Sequence, residues 1–211
     1  MKVILINPNS TEAMTVSSVE AAQAAEPEIE FVGWTSREGP RSIQWPEDGE
    51  RALGPLLELV NQAVAEKPLA EILGCFDDTG LKQAKQICKC PVLGIGEASF
   101  VLSSLYSSQT AVITTVKEAV PIIKNNIANL GYQNNVTDVI AADVEVLELE
   151  SNQNGSAMKF AQASESLNPN IKNIILGCAG AVNIKDEFER LTGYTAFDGV
   201  TSAAKLCRSL L

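Results

Sequence analysis

Two cysteines stand in nearly the same surroundings. Cys75 falls in "ILGCFDDTG" and Cys178 in "IILGCAGAV"; each ends an apolar run as Leu-Gly-Cys. The chain has no histidine. That removes Ser-His-Asp and Cys-His pairs and every imidazole base, leaving acid–base chemistry to Cys, Asp, Glu, Lys or Tyr. A reaction that inverts a carbon centre needs a base on one face and an acid on the other. One thiolate and one thiol meet that need and exchange roles with the direction of reaction. Free cysteine has a pKa of about 8.5, lowered near positive charge or a helix N-terminus. The enolate left by the departing proton needs donors, and the backbone N–H groups after each cysteine are candidates for that oxyanion hole. "CFDDTG" is expected to lead into a helix whose first N–H groups lack partners. "CAGA" is built of small residues that let backbone approach a ligand.

Packing is the competing reading, because cysteine is among the most buried residue types. The repeated context lifts Cys75 and Cys178 above it. Cys88, Cys90 and Cys207 lack that context and read as structural.

The elements that must position these thiols follow an α/β alternation, with a mostly parallel sheet. "KVILIN" reads as a strand, followed by a helix opened by Ser10 or Thr11. "EIEFVGW" is a second strand, "TSREGPRSIQWP" a loop, and "EDGERALGPLLELVNQAVAEK" a helix interrupted near Gly54-Pro55. "AEILGC" is a third strand, and "DTGLKQAKQIC" a helix with Asp78 as its cap. "PVLGIG" is a strand and "EASFVLSSLYSS" a helix opened near Glu97.

From "TAVITT" the pattern restarts: strand, the Pro121-containing helix "VKEAVPIIKNNIANLG", extended residues in "VTDVIAADVEVLEL", helix "GSAMKFAQASESL", strand "NIIL" and closing helix "DGVTSAAKLCRSLL". Similar intervals separate Asn9 from Cys75 and Thr115 from Cys178, a weak internal repeat. Two lobes related by a pseudo-twofold are expected: residues 1–97 with 198–211, and residues 98–197. Ligands of open parallel sheets sit beyond the carboxyl ends of strands. Facing lobes would therefore put both thiols in one cleft.

The 211 residues are enough for one sizeable core or two lobes of about 100 residues each. Apolar residues make up 45% and charged residues 20%, an ordinary globular balance. A net charge of −10 argues against a nucleic-acid partner, which needs clustered Lys and Arg. The N-terminal apolar run is too short for a signal peptide and no stretch is long enough for a membrane span, so a cytoplasmic protein with reduced cysteines is expected. With no histidine and no CxxC pair, no metal site is expected.

Seven stretches, in order, resemble the hydantoin racemase branch, which includes allantoin racemases, of the aspartate/glutamate/hydantoin racemase superfamily: "INPNST", "EGPRSIQ", "GCFDDTGL", "PVLGIGEAS", "VITT", "LGCAGA" and "FDGV". The resemblance covers nearly the whole chain. It implies two Rossmann-like lobes with the active site in the cleft between them, no cofactor, a homo-oligomer, and Cys75 and Cys178 as the proton-transfer residues. It also implies substrate contacts from Asn9, Ile43, Thr114 and Thr115, with the backbone around Phe76, Asp77, Ala179 and Gly180. Two loops depart from the family's pattern. Asp77 and Thr79 stand where Gly or Ser and Pro are more usual, and Ala181 stands where Met is common. Capping is the plainer role for Asn9, Thr114 and Thr115, and core packing for Ile43.

Other functions stay open. "LGIGEAS" is a partial dinucleotide-binding motif, with Ser99 at its third glycine position. Within the superfamily, decarboxylases use one cysteine and maleate isomerases use two. A binding protein with incidental thiols is a further reading. An amino-acid substrate would need a cation for its carboxylate, and Arg37 and Arg41 are the candidates. A neutral hydantoin or allantoin ring, a cyclic ureide, suits Asn, Thr and backbone better, and is the favoured substrate.

Overall fold

The structure, a computed structural model, describes residues 1–106 and 109–211. Strands β1 (Lys2–Asn7), β2 (Glu30–Thr35), β3 (Ala70–Leu73) and β4 (Val92–Gly94) form a parallel sheet in the order β2-β1-β3-β4. Strands β5 (Gln109–Thr114), β6 (Val136–Ala141), β7 (Ile171–Gly177) and β8 (Thr195–Asp198) form a second parallel sheet in the order β6-β5-β7-β8. The second half repeats the topology of the first.

The inner strands are buried on both faces, which explains their unbroken apolar runs. In β1, Ile4 and Ile6 meet Leu73 and, from helix α2 (Pro46–Ala65), Leu56 and Val60. Val3 and Leu5 point the other way. They join the main core with Met14 of α1 (Glu12–Ala25), Ile95 and Phe100 of α4 (Ile95–Ser103), and residues of the second sheet such as Val112 and Ile175. Each fully buried Leu or Ile contributes roughly 1.5–3 kcal/mol by leaving water. The remaining helices are α3 (Leu81–Ile87), α5 (Ala119–Leu130), α6 (Glu148–Ser151), α7 (Gln153–Ser164), α8 (Lys185–Thr192) and α9 (Gly199–Arg208). Helix α9 packs against both α1 and α4.

Several elements differ from the reading of the sequence. Helix α2 runs through Gly54-Pro55 without a break, because Ala52, Leu56, Val60 and Ala63 hold one buried stripe against the first sheet. Thr11 occupies the cap position of α1, but its hydroxyl donates to the Arg41 carbonyl at 2.7 Å instead of capping the helix. Helix α8 and strand β8 were absent from the sequence pattern: α8 buries only Phe188 fully, and β8 spans four residues. The helix expected over residues 97–108 begins earlier, at Ile95, and its expected end at Ser107 and Ser108 lies outside the described residues. No helix among the described residues is long and apolar enough to cross a membrane.

One carboxylate sits badly in this core. Glu71 on β3 is fully buried, its Oε2 has no partner among the described residues, and the Cys88 and Cys90 thiols lie against it. Burial pushes its carboxyl above the usual range, and burial pushes Asp78 up to about 8. A carboxyl raised in the folded state favours folding while protonated, so that stability is lost as pH climbs from about 4 toward 8. Chemical denaturation is expected to show higher stability near pH 5 than near pH 8. Glu71→Gln should narrow that difference, by about 1–3 kcal/mol if one unpartnered buried group sets the scale. A pH-independent Glu71→Gln effect would contradict this account.

Candidate active site

In each sheet the chain leaves the first strand to one side and later returns on the other, so a crevice opens at the carboxyl ends of β1 and β3, and of β5 and β7. Asn9 follows β1, Cys75 follows β3, Thr114 ends β5 with Thr115 next, and Cys178 follows β7. All five line one pocket of about 530 Å³, open mouth included. Ile43, Phe76, Asp77 and Ala179 line it too. Gly180 does not; its N–H is turned to the Cys178 sulfur.

Local contacts fix each group. Asn9 is buried, its Oδ1 accepting from the Thr11 N–H at 2.9 Å and from Asn7 Nδ2 at 3.1 Å. Thr114 donates to the Gly177 carbonyl at 2.9 Å, tying β5 to the turn before Cys178. The Phe76 ring packs edge-on against Phe100 at 5.9 Å, anchoring the first cysteine loop in the core. Cys178 is extended and opens a 3-10 helix, Ala179–Asn183. Three contacts join the two halves around the pocket. Gln44 Oε1 accepts from the Val146 N–H at 2.7 Å, Asn126 Nδ2 donates to the Asp77 carbonyl at 2.6 Å, and Ser17 donates to Glu150 at 3.0 Å.

The loop after Cys75 is built differently from the expected helix start. Asp78 has φ 55° and Gly80 φ 75°, so the chain turns twice before α3 begins at Leu81. Asp78 does not cap α3. Its carboxylate accepts from the Gly96 N–H at 3.0 Å and the Glu97 N–H at 2.8 Å, closing the start of α4 across the loop. A Cβ on Gly96 would stand 2.3 Å from the Phe76 carbonyl, so only glycine allows this approach. With its first N–H groups taken by a carboxylate, α4 offers no cradle for a pyrophosphate. The partial dinucleotide motif is thereby spent on packing.

Burial favours the neutral form of both thiols. Burial pushes Cys178 up to about 12, opposed by N–H groups of Gly180 and Ala179 aimed at its sulfur. Burial, then the Asp77 carboxylate, pushes Cys75 well above its ordinary range. The N–H groups after the cysteines therefore face sulfur, not an open oxyanion position. Cys207 is buried in the core, and Cys88 and Cys90 lie outside the pocket. Among the described residues no lysine or arginine lines the pocket: Arg37 pairs with Glu12 at the surface and Arg41 is exposed. Among the described residues no group of three or more Cys, Asp or Glu is placed to hold a metal ion.

Gln44, Trp45, Met14, Ile122, Ile123 and Val146 complete the walls without having been marked in the sequence. They come from a loop and from helix faces whose pattern says "buried" but not against what. Two of the three marked departures, Asp77 and Thr79, bond to one another, Asp77 Oδ1 accepting from the Thr79 N–H at 3.0 Å and hydroxyl at 2.7 Å.

Two parallel α/β halves meeting at a pocket between strand ends place the chain among two-lobed α/β enzymes. The Asp/Glu/Hydantoin racemase family profile matches residues 3–207, and the chain belongs to that family; it is an isomerase of the racemase type. It is 32% identical over 214 residues to a hydantoin racemase of Rhizobium meliloti, covering all of this chain and 89% of that protein. The allantoin racemase from Klebsiella pneumoniae superposes with a TM-score of 0.92 at 26% identity, covering 100% of this chain and 87% of the other. The allantoin racemase from Pseudomonas fluorescens gives the same TM-score and identity, covering 100% and 90%.

Proposed function

We propose that the protein racemises a neutral cyclic ureide, a 5-substituted hydantoin or an allantoin-like compound, by passing a proton between Cys75 and Cys178. The observation that carries this reading is that both thiols line one pocket whose walls hold no cation. An α-carboxylate would meet the Asp77 carboxylate and no counter-charge. A ureide ring instead finds the amides of Asn9 and Gln44 and the hydroxyl of Thr115, which suit its N–H and C=O groups. The names of the relatives point to the same substrates.

In the mechanism, the ring carbon lies between the sulfurs. A thiolate on one face takes the proton, the C–H electrons pass into the ring enolate, and the thiol on the other face returns a proton with inversion. Each positioned acid or base contributes about 10²–10⁴-fold. Side-chain donors such as Asn9 must bear the enolate oxygen, because the N–H groups after the cysteines face sulfur. The apolar wall of Ile43, Trp45 and Ile122 would hold the 5-substituent and exclude water.

Polarimetry with single enantiomers of allantoin, 5-benzylhydantoin, 5-isopropylhydantoin, aspartate and glutamate tests the substrate. Loss of rotation is expected with at least one ureide and with neither amino acid. Turnover of an amino acid but of no ureide would contradict the reading.

A further inference from the structure

The first cysteine loop carries a carboxylate that the second lacks. Asp77 lines the pocket two residues after Cys75, and its carboxylate pushes the Cys75 thiol up while its backbone N–H acts in the opposite sense. It is held in place from two directions. Thr79 donates to Oδ1 through its N–H at 3.0 Å and its hydroxyl at 2.7 Å, and Asn126 Nδ2 donates to the Asp77 backbone carbonyl at 2.6 Å. Across the pocket the Cys178 sulfur faces donors, the N–H groups of Ala179 and Gly180. A thiol beside a fixed acceptor keeps its proton, whereas a sulfur facing N–H donors is better able to carry charge. The two sulfurs are chemically unequal although the motifs around them repeat.

We propose that Asp77 is a positioning residue that holds the Cys75 proton, so that when the pair of thiols loses one proton it is Cys178 that becomes the base and Cys75 that stays the acid. This rests on the two-thiol reading above. From that form the Cys178 thiolate takes the ring proton and becomes a thiol. The C–H electron pair moves into the enolate, and Cys75 delivers its proton to the opposite face, keeping the S–H pair as a thiolate. One proton leaves the carbon and one arrives, with no net oxidation. The product form has the Cys75 thiolate beside the Asp77 carboxylate, two negative charges in contact. Asp77 thus favours one protonation form of the pair and leaves the other as a minor population.

A consequence follows for kinetics. Each enantiomer reacts with one of the two forms, and the enantiomer needing the minor form shows a raised KM. Enantiomers have equal free energy, so kcat/KM must be the same in both directions. The excess in KM is therefore matched by an excess in kcat. Removing the Asp77 charge should shrink this paired difference while leaving the equality intact. The shift in the Cys75 titration that should accompany this change is what a merely structural role of Asp77 would not produce.

The other titratable groups around the pocket are few. Cys178 stands after β7, where the Glu150 carboxylate of α6 and then that of Asp77 push its thiol up against the pull of the Gly180 and Ala179 N–H groups, and Asp78 has its carboxylate turned to α4. Asp77 is the carboxylate with the largest influence on the Cys75 thiol after burial itself.

The experiment compares wild type with Asp77→Asn, which keeps the size of the side chain, and Asp77→Gly, which opens the loop. The kcat and KM of both enantiomers are measured for each. In parallel, thiolate ultraviolet absorbance is titrated in Cys178→Ser and in Cys178→Ser/Asp77→Asn, where the difference isolates Cys75. The Cys75 midpoint is expected to fall by about one pH unit or more when Asp77 is neutralised, and the KM ratio of the enantiomers to move toward one. An unmoved midpoint with an unchanged KM ratio would overturn the role of Asp77. Should Cys75→Ser still racemise, the two-thiol reading itself fails; should Cys75→Ser be inactive while Asp77→Asn changes nothing, only the Asp77 inference fails.

Discussion

Exchange of Cys75 or Cys178 for serine is expected to reduce racemisation by at least about 10²–10⁴-fold, the contribution of one positioned acid or base. A serine hydroxyl fills nearly the same space but is far too weakly acidic to exchange protons with a carbon acid at neutral pH. Folding should survive, since serine is close in size to cysteine and both residues line the pocket at strand ends, with a larger stability cost expected at Cys178, which also packs in the main core. Cys88→Ser, Cys90→Ser and Cys207→Ser serve as controls. Cys88 and Cys90 lie by Glu71 outside the pocket, and Cys207 is buried in α9. These three should leave turnover largely intact, with Cys207→Ser lowering the melting temperature because it buries a hydroxyl. Initial rates on a ureide substrate decide the matter. Near wild-type racemisation in either pocket variant would contradict the mechanism.

A steep rise of activity with pH is the second large effect. The reaction needs one thiolate, and burial favours the neutral thiol at both positions, with Cys178 raised to about 12 and Cys75 well above its ordinary range. At neutral pH the reactive form is the minor one. For a neutral substrate kcat/KM should therefore climb by up to about tenfold per pH unit between roughly pH 6 and pH 9. Stability should move the opposite way over the same range, because Glu71, Asp78 and the buried thiols all bind protons more tightly in the folded protein. Rates and melting temperatures measured across this range on the same preparation check both signs together. Activity that peaks on the acid side would contradict a thiolate base.

The sequence displayed the parts of this molecule that depend on local pattern. Val3–Ile6 and Ile174–Leu176 are runs of apolar, mostly β-branched residues, and they became inner parallel strands. The twin Leu-Gly-Cys stretches marked two strand ends, and both cysteines line the pocket. Long-range partners were not legible. Asp78 has the composition of a cap for the helix that follows it, yet the positive φ values at Asp78 and Gly80 carry its carboxylate to α4 instead. Pro55 looks like a helix breaker, but the packing of Leu56 and Val60 on the sheet outweighs the lost hydrogen bond. Trp45 and Ile122 reach the pocket because of how the two halves face each other, a relation that no spacing along the chain encodes.

The most direct measurement of the central claim is hydrogen exchange in deuterated water by the two single-serine proteins. Each is given one pure substrate enantiomer, and deuterium at the ring carbon is followed by proton NMR above the uncatalysed background. A protein retaining one thiol can remove and return a proton on one face only. Cys75→Ser and Cys178→Ser should therefore each label one enantiomer without inverting it, and the two should choose opposite enantiomers. Labelling of the same enantiomer by both, or of neither above background while the wild type labels both, would contradict a proton passed between two facing thiols.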